Sequence, residues 1–154
     1  MSSMKEKIER DLKEALRAGE ELRLSTLRMT SAAIHNREIE KRTKTGSALL
    51  TDEEITAVLR AEIKKRKDAA LGFDKGARAE RAEKERKEEA VIQGYLPAEL
   101  SDEDIEKIVR QVVSGLGVVS EKDFGRVMGE VMKKTRGQAS GDRVALEVKK
   151  ALTG

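Results

Sequence analysis

The residues best suited to chemistry lie late in the chain, in the run Lys133-Lys134-Thr135-Arg136-Gly137-Gln138-Ala139-Ser140-Gly141, with Arg143 close behind. Three cations followed by glycines suit the binding of an anionic backbone. Lysine and arginine bring charge and donors, and Gly137 and Gly141 have no Cβ to hold a phosphate away. A helix starting near Gly141 or Asp142 would add its first free amides to that pull. Lys133, Lys134, Arg136, Gly137, Gly141 and Arg143 are therefore the candidate RNA-binding residues. Charge distribution agrees: from residue 120 to 154 there are eight basic and five acidic side chains, whereas residues 1 to 100 hold 22 and 20.

Reaction chemistry is harder to find. His35 is the only histidine and the chain has no cysteine, so a zinc site, a disulfide or a histidine-based triad has no basis, and His35 is expected on a helix flank. Carboxylates are many, but none stands in an apolar setting that would tune it for acid or base work. The glycines of the tail do not follow the Gly-x-x-x-x-Gly-Lys-Ser/Thr order of a nucleotide loop. No catalytic residue, metal site or cofactor is expected.

Helices must position the basic run. Ser3 with Glu6 makes a capping box, and Met4, Ile8, Leu12 and Leu16 recur every four residues until Gly19. A longer pattern spans residues 21 to 44, with Leu24, Leu27, Ser31, Ile34 and Glu38 on one face and Arg23, Arg28, Arg37, Lys41 and Arg42 on a solvated one. Thr51 with Glu54 opens a third helix. It ends around Gly72 to Gly76, and its Lys64 to Lys67 run spreads four cations around the cylinder. Residues 77 to 93 form a fourth with little apolar surface (Ala79, Ala82, Ala90, Val91, Ile92), the helix whose firm packing the sequence supports least.

Pro97 takes Leu96 out of helix. The expected organisation is an N-terminal helical domain over 1–94, a hinge over 95–100 in which Tyr95 and Leu96 pack, and a small domain over 101–154. Ser101 with Asp104 starts a helix carrying Ile105, Ile108, Val109, Val112 and Val113 and stopping at Gly115 and Gly117. A second is expected from Ser120, burying Phe124, Val127, Met128, Val131 and Met132. Gly125 and Gly129 would mark a close helix crossing. The last helix would bury Val144, Val148 and Leu152. Two short helices thus hold up the basic loop.

Composition supports an all-α class, an N-terminal antiparallel helical bundle joined to a small three-helix domain: charged residues are 40%, aromatics 2%, and Pro97 is the only proline. A hydrophobic share of 38% allows modest cores. No apolar run is long enough for a membrane span, and the first residues lack the apolar core of a signal peptide, so a cytoplasmic protein with no membrane partner is expected. A net charge of only +3 does not by itself announce nucleic-acid binding, and no DNA partner is expected.

The run Leu22-Arg23-Leu24-Ser25-Thr26-Leu27-Arg28-Met29, then Ala33-Ile34 and Asn36-Arg37-Glu38-Ile39-Glu40, resembles the opening of the YqeY proteins. So do Tyr95-Leu96-Pro97 and Lys122-Asp123-Phe124-Gly125-Arg126-Val127-Met128-Gly129. The tail is similar to the domain these proteins share with the C-terminal end of the B subunit of the aspartyl/glutamyl-tRNA amidotransferase. The resemblance implies a helical N-terminal bundle, a small helical tail domain, and tRNA as partner. The family's Gly, small residue, Asp, Gly order falls here on Gly137, Ala139, Ser140 and Gly141, so a serine stands where aspartate is usual. Serine caps a helix about as well, so the geometry is expected to survive.

Two functions follow as expectations. One is a non-catalytic tRNA-binding accessory protein working with tRNA-charging or tRNA-amidation enzymes. With no aromatics interleaved among the cations, it would read phosphate and shape rather than stack bases. The other is a module docking on an aminoacyl-tRNA synthetase or amidotransferase without touching RNA. The family label also carries a third, carbon-nitrogen ligase activity with glutamine as amide donor, for which the sequence offers no machinery.

Overall fold

The computed structural model describes residues 3–117 and 120–153; among these the chain forms seven α-helices and one 3-10 turn, with no strand. They fall into two compact units, Met1–Leu96 and Pro97–Gly154.

In the first unit, α1 (Met4–Ala18) begins where the sequence predicts. The Glu6 amide donates to Ser3 Oγ at 3.2 Å and the Ser3 amide to Glu6 Oε2 at 3.0 Å, so two amides that a helix start would leave unpaired are satisfied reciprocally. α2 (Glu21–Thr45) follows after two residues and packs on α1. Its buried face is Thr26, Leu27, Thr30 and Ile34, whereas Leu24, Ser31 and Glu38 are only partly covered. Periodicity places the core stripe too far round because it treats threonine as polar. The Thr26 hydroxyl donates to the Leu22 carbonyl at 2.7 Å and that of Thr30 to the Thr26 carbonyl at 2.8 Å, so each presents only a methyl to the core.

Thr51 and Glu54 form the second capping box and start α3 (Asp52–Lys75). α4 (Ala79–Gln93) lies along α3, and Ala82 and Ile92 are fully buried there. A buried ionic cluster also joins it to α3. Arg66, one of the four cations at 64–67, turns inward and is only 6% exposed. Its Nη1 meets Glu62 Oε2 at 2.9 Å, and its Nε lies 3.4 Å from Glu88 Oε2 on α4. Ile8, Leu27, Ile34, Ile55, Leu59, Ile63 and Ile92 form the core, with Tyr95 and Leu96 packed against it.

In the second unit, Ser101 Oγ accepts from the Asp104 amide at 3.1 Å and starts α5 (Asp102–Leu116). A 3-10 turn over Glu121–Asp123 leads into α6 (Phe124–Thr135), and α7 (Gly141–Thr153) closes the unit. Each helix packs on the other two around Ile105, Val109, Val112, Val127, Val131, Ala139, Val144 and Val148.

The predicted face of α6 needs correction. Ser120 caps no helix; its Oγ faces Asp123 Oδ2 at 3.4 Å, and the α-helix starts four residues later. Val127, Val131 and Thr135, four apart, line the buried edge. Met128 is partly buried, and Phe124 and Met132 are each 37% exposed. Nor do Gly125 and Gly129 sit at a helix crossing. Both are exposed, and a Cβ built on either would meet nothing within 4 Å.

Candidate nucleic-acid interface

The turn between α6 and α7 is held from inside. Val131 and Thr135 are wholly buried at the end of α6, and the Thr135 hydroxyl donates to the Met132 carbonyl at 3.2 Å. Arg136 then ends the helix in the left-handed region, φ 45° and ψ 50°, its amide donating to the Met132 carbonyl at 3.2 Å. Gly137 continues at φ 79°, where a glycine meets none of the steric cost other residues do. The Gln138 amide donates to the Thr135 carbonyl at 2.9 Å, and Ala139 is 1% exposed, plugged into the core. Ser140 accepts the Arg143 amide on Oγ at 3.4 Å and the Val144 amide on its carbonyl at 3.1 Å, so a serine does cap α7.

Leu100, just ahead of α5, clamps this turn from the other side. Its amide donates to the Gln138 carbonyl at 2.8 Å, and its carbonyl accepts from Arg143 Nη2 at 2.7 Å.

Six candidate residues thus occupy one fixed turn, in different roles. Lys133, Lys134 and Arg136 are exposed. Lys133 faces Glu130 at 3.3 Å, a pair open enough to water to contribute little. Lys134 and Arg136 have no ionic partner among the described residues. Gly137 makes the reversal, and Gly141 opens α7. Arg143 is committed internally: besides Leu100 it reaches Asp102 at 2.8 Å and Glu99 at 3.7 Å, and so ties α7 to the acidic start of α5. Asp142 sits in the first turn of α7, so that helix end already faces a carboxylate. The exposed positive charge of the turn is that of Lys133, Lys134 and Arg136.

The structure adds residues that spacing alone hides. Arg126 lies seven positions before Lys133 and so on the same side of α6, and it is exposed. Gly125 and Gly129 lie in the same exposed stretch of the helix, leaving its backbone bare. A partner could approach α6 more closely here than side chains normally permit. Interior helix glycines cost roughly 1 kcal/mol each against alanine, and nothing inside this unit needs their smallness. The two glycines were visible in the sequence, and the empty space around them shows that they do not serve helix packing.

His35 is exposed on α2, and no group of three or more His, Cys, Asp or Glu side chains is placed to hold a metal among the described residues. No helix among the described residues is long and apolar enough to cross a membrane.

A family model described as Yqey-like protein matches residues 5–152. Altered inheritance of mitochondria protein 41, mitochondrial, from Pyrenophora tritici-repentis (strain Pt-1C-BFP), is 29% identical over 136 residues, covering 86% of this chain and 71% of that relative.

Proposed function

The chain belongs to the YqeY family, and from that premise we propose that it is a non-catalytic accessory protein that binds tRNA through the α6–α7 turn. The observation that carries this reading is the pair Lys134 and Arg136, exposed and without a carboxylate partner, on a turn whose backbone is fixed by its own core. A preset cationic turn loses little conformational entropy on binding an anion. Arg136 adds weight. Its left-handed cap geometry costs a non-glycine residue on the order of 1–2 kcal/mol and fixes where its side chain leaves the turn. The similarity of the tail to the amidotransferase B subunit supports tRNA over other RNAs.

Filter binding with tRNA at rising salt tests it. The wild type should lose affinity steeply, as phosphate contacts release counterions, and a Lys133→Ala/Lys134→Ala/Arg136→Ala variant should bind weakly with a shallower slope. Equal binding by both proteins across the salt series would sink the turn as a site. Glutamine turnover by the isolated chain would contradict the non-catalytic part.

A second reading, docking on an aminoacyl-tRNA synthetase or amidotransferase, is favoured by Phe124 and Leu146, 37% and 55% exposed, which a phosphate backbone does not require. Capture of such an enzyme that survives ribonuclease would select it.

A further inference from the structure

Several cations of the first unit stand beside acids: Arg23 beside Asp11, Glu14 and Glu20, Lys67 beside Glu89, Arg86 beside Asp74. Between Ser25 and Thr43 one stripe of α2 presents Arg28, Ala32, His35, Ile39 and Arg42, with exposed Glu21 ahead of it on the same side and exposed Glu40 farther round the helix. The two glutamates of that stretch are engaged elsewhere. Glu38 is half-buried and paired with Lys5 at 2.8 Å, and Glu40 is held by Lys44 at 2.9 Å and Arg37 at 3.1 Å. Arg28 and Arg42 have no ionic partner among the described residues.

Their spacing is regular. Arg28, His35 and Arg42 are seven positions apart, so each is about two helical turns and roughly 10 Å beyond the last, on nearly the same side of the cylinder. Two permanent cations about 21 Å apart, with His35 between them, stand on one side of the helix. The residues between are short or polar, Ala32 and Asn36, so a chain of phosphates can lie close. The apolar content of this face, chiefly Met29 and Ile39, is too sparse for a lipid-inserting stripe, and no aromatic is present to stack a base.

We propose that this face of α2 is a second RNA contact, touching the phosphate backbone through Arg28 and Arg42. The proposal rests on the reading of the α6–α7 turn as a tRNA site and assigns part of the binding to the first unit.

The test is tRNA binding by the full chain across a salt series, with wild type, Arg28→Ala/Arg42→Ala, Arg28→Lys/Arg42→Lys and the turn triple variant compared. Both arginines are exposed, so helicity and melting temperature should match wild type, which circular dichroism checks. Loss of two phosphate contacts should lower the slope of log affinity against log salt by about two, and the lysine variant should restore most of it. If the turn variant loses binding while the α2 alanine variant keeps the wild-type slope, the α2 contact is wrong and the turn reading stands. If neither variant changes the slope, both are wrong.

Discussion

Arg66 on α3 faces Glu88 on α4 across 3.4 Å, both side chains less than a tenth exposed, in a part of the first unit where the sequence offers α4 little apolar surface to pack with. Glu62 lies behind this pair at 2.9 Å, so the three groups form one buried ionic cluster. Arg66→Ala would strand two buried carboxylates. A loss of about 3–5 kcal/mol is expected, measured as a lower urea midpoint for the first unit by circular dichroism.

Acid behaviour follows from the same cluster. Burial pushes the Glu62 carboxyl up, but hydrogen bonds from Arg66 and Lys65 outweigh it and hold it below the ordinary 4.5. The stability this supplies is complete above that value and is lost as pH falls through the lowered one. Glu85 is the opposite case: burial first, then the nearby Glu88 carboxylate, raise it. Its charged form is disfavoured in the folded state at neutral pH, so Glu85→Gln should stabilise there. That advantage should fade as pH drops below 4.5, where Glu85 carries its proton whether the chain is folded or not. Thermal melts of both proteins from pH 7 to pH 4 decide it, and a gap that widens on acidification would contradict it.

Gly125→Ala and Gly129→Ala should each stabilise the second unit by roughly 0.5–1 kcal/mol, because the new methyl meets nothing and the unfolded chain loses freedom. Where most glycine replacements are judged by stability alone, tRNA affinity is the informative readout here. Weaker binding by a more stable protein identifies the bare α6 backbone as a contact surface.

Arg136→Gly separates strain from charge. Glycine takes φ 45° freely, so the variant should gain about 1 kcal/mol in chemical denaturation. It also removes one cation, and the salt slope of tRNA binding should fall by about one. A variant that is both more stable and unchanged in slope would show that Arg136 does not touch the RNA.

Sequence reading is strongest where the determinants are local. The capping residues Ser3, Thr51 and Ser101 each mark a helix start because donor and acceptor lie three residues apart, and the end of α3 near Gly76 is equally plain. It weakens where the outcome depends on a facing element. Thr26 and Thr30 look polar until their hydroxyls find carbonyls one turn back, and Arg66 looks solvated until Glu88 arrives from α4. Arg143 shows the same limit within the candidate site: it is indistinguishable from Lys134 in the sequence, yet Leu100 and Asp102 occupy it. The turn itself was legible; which of its cations remain available was not.

Leu100 grips the basic turn with both of its peptide groups, its amide on Gln138 and its carbonyl on Arg143. Residues some forty positions apart therefore share one mechanical element, and the stretch leading into α5 is part of the turn's own scaffold. A fragment cut at the start of α5 would keep all three helices and their core but release the turn from one of its two anchors. Any minimal fragment intended to preserve that surface must begin ahead of Glu99.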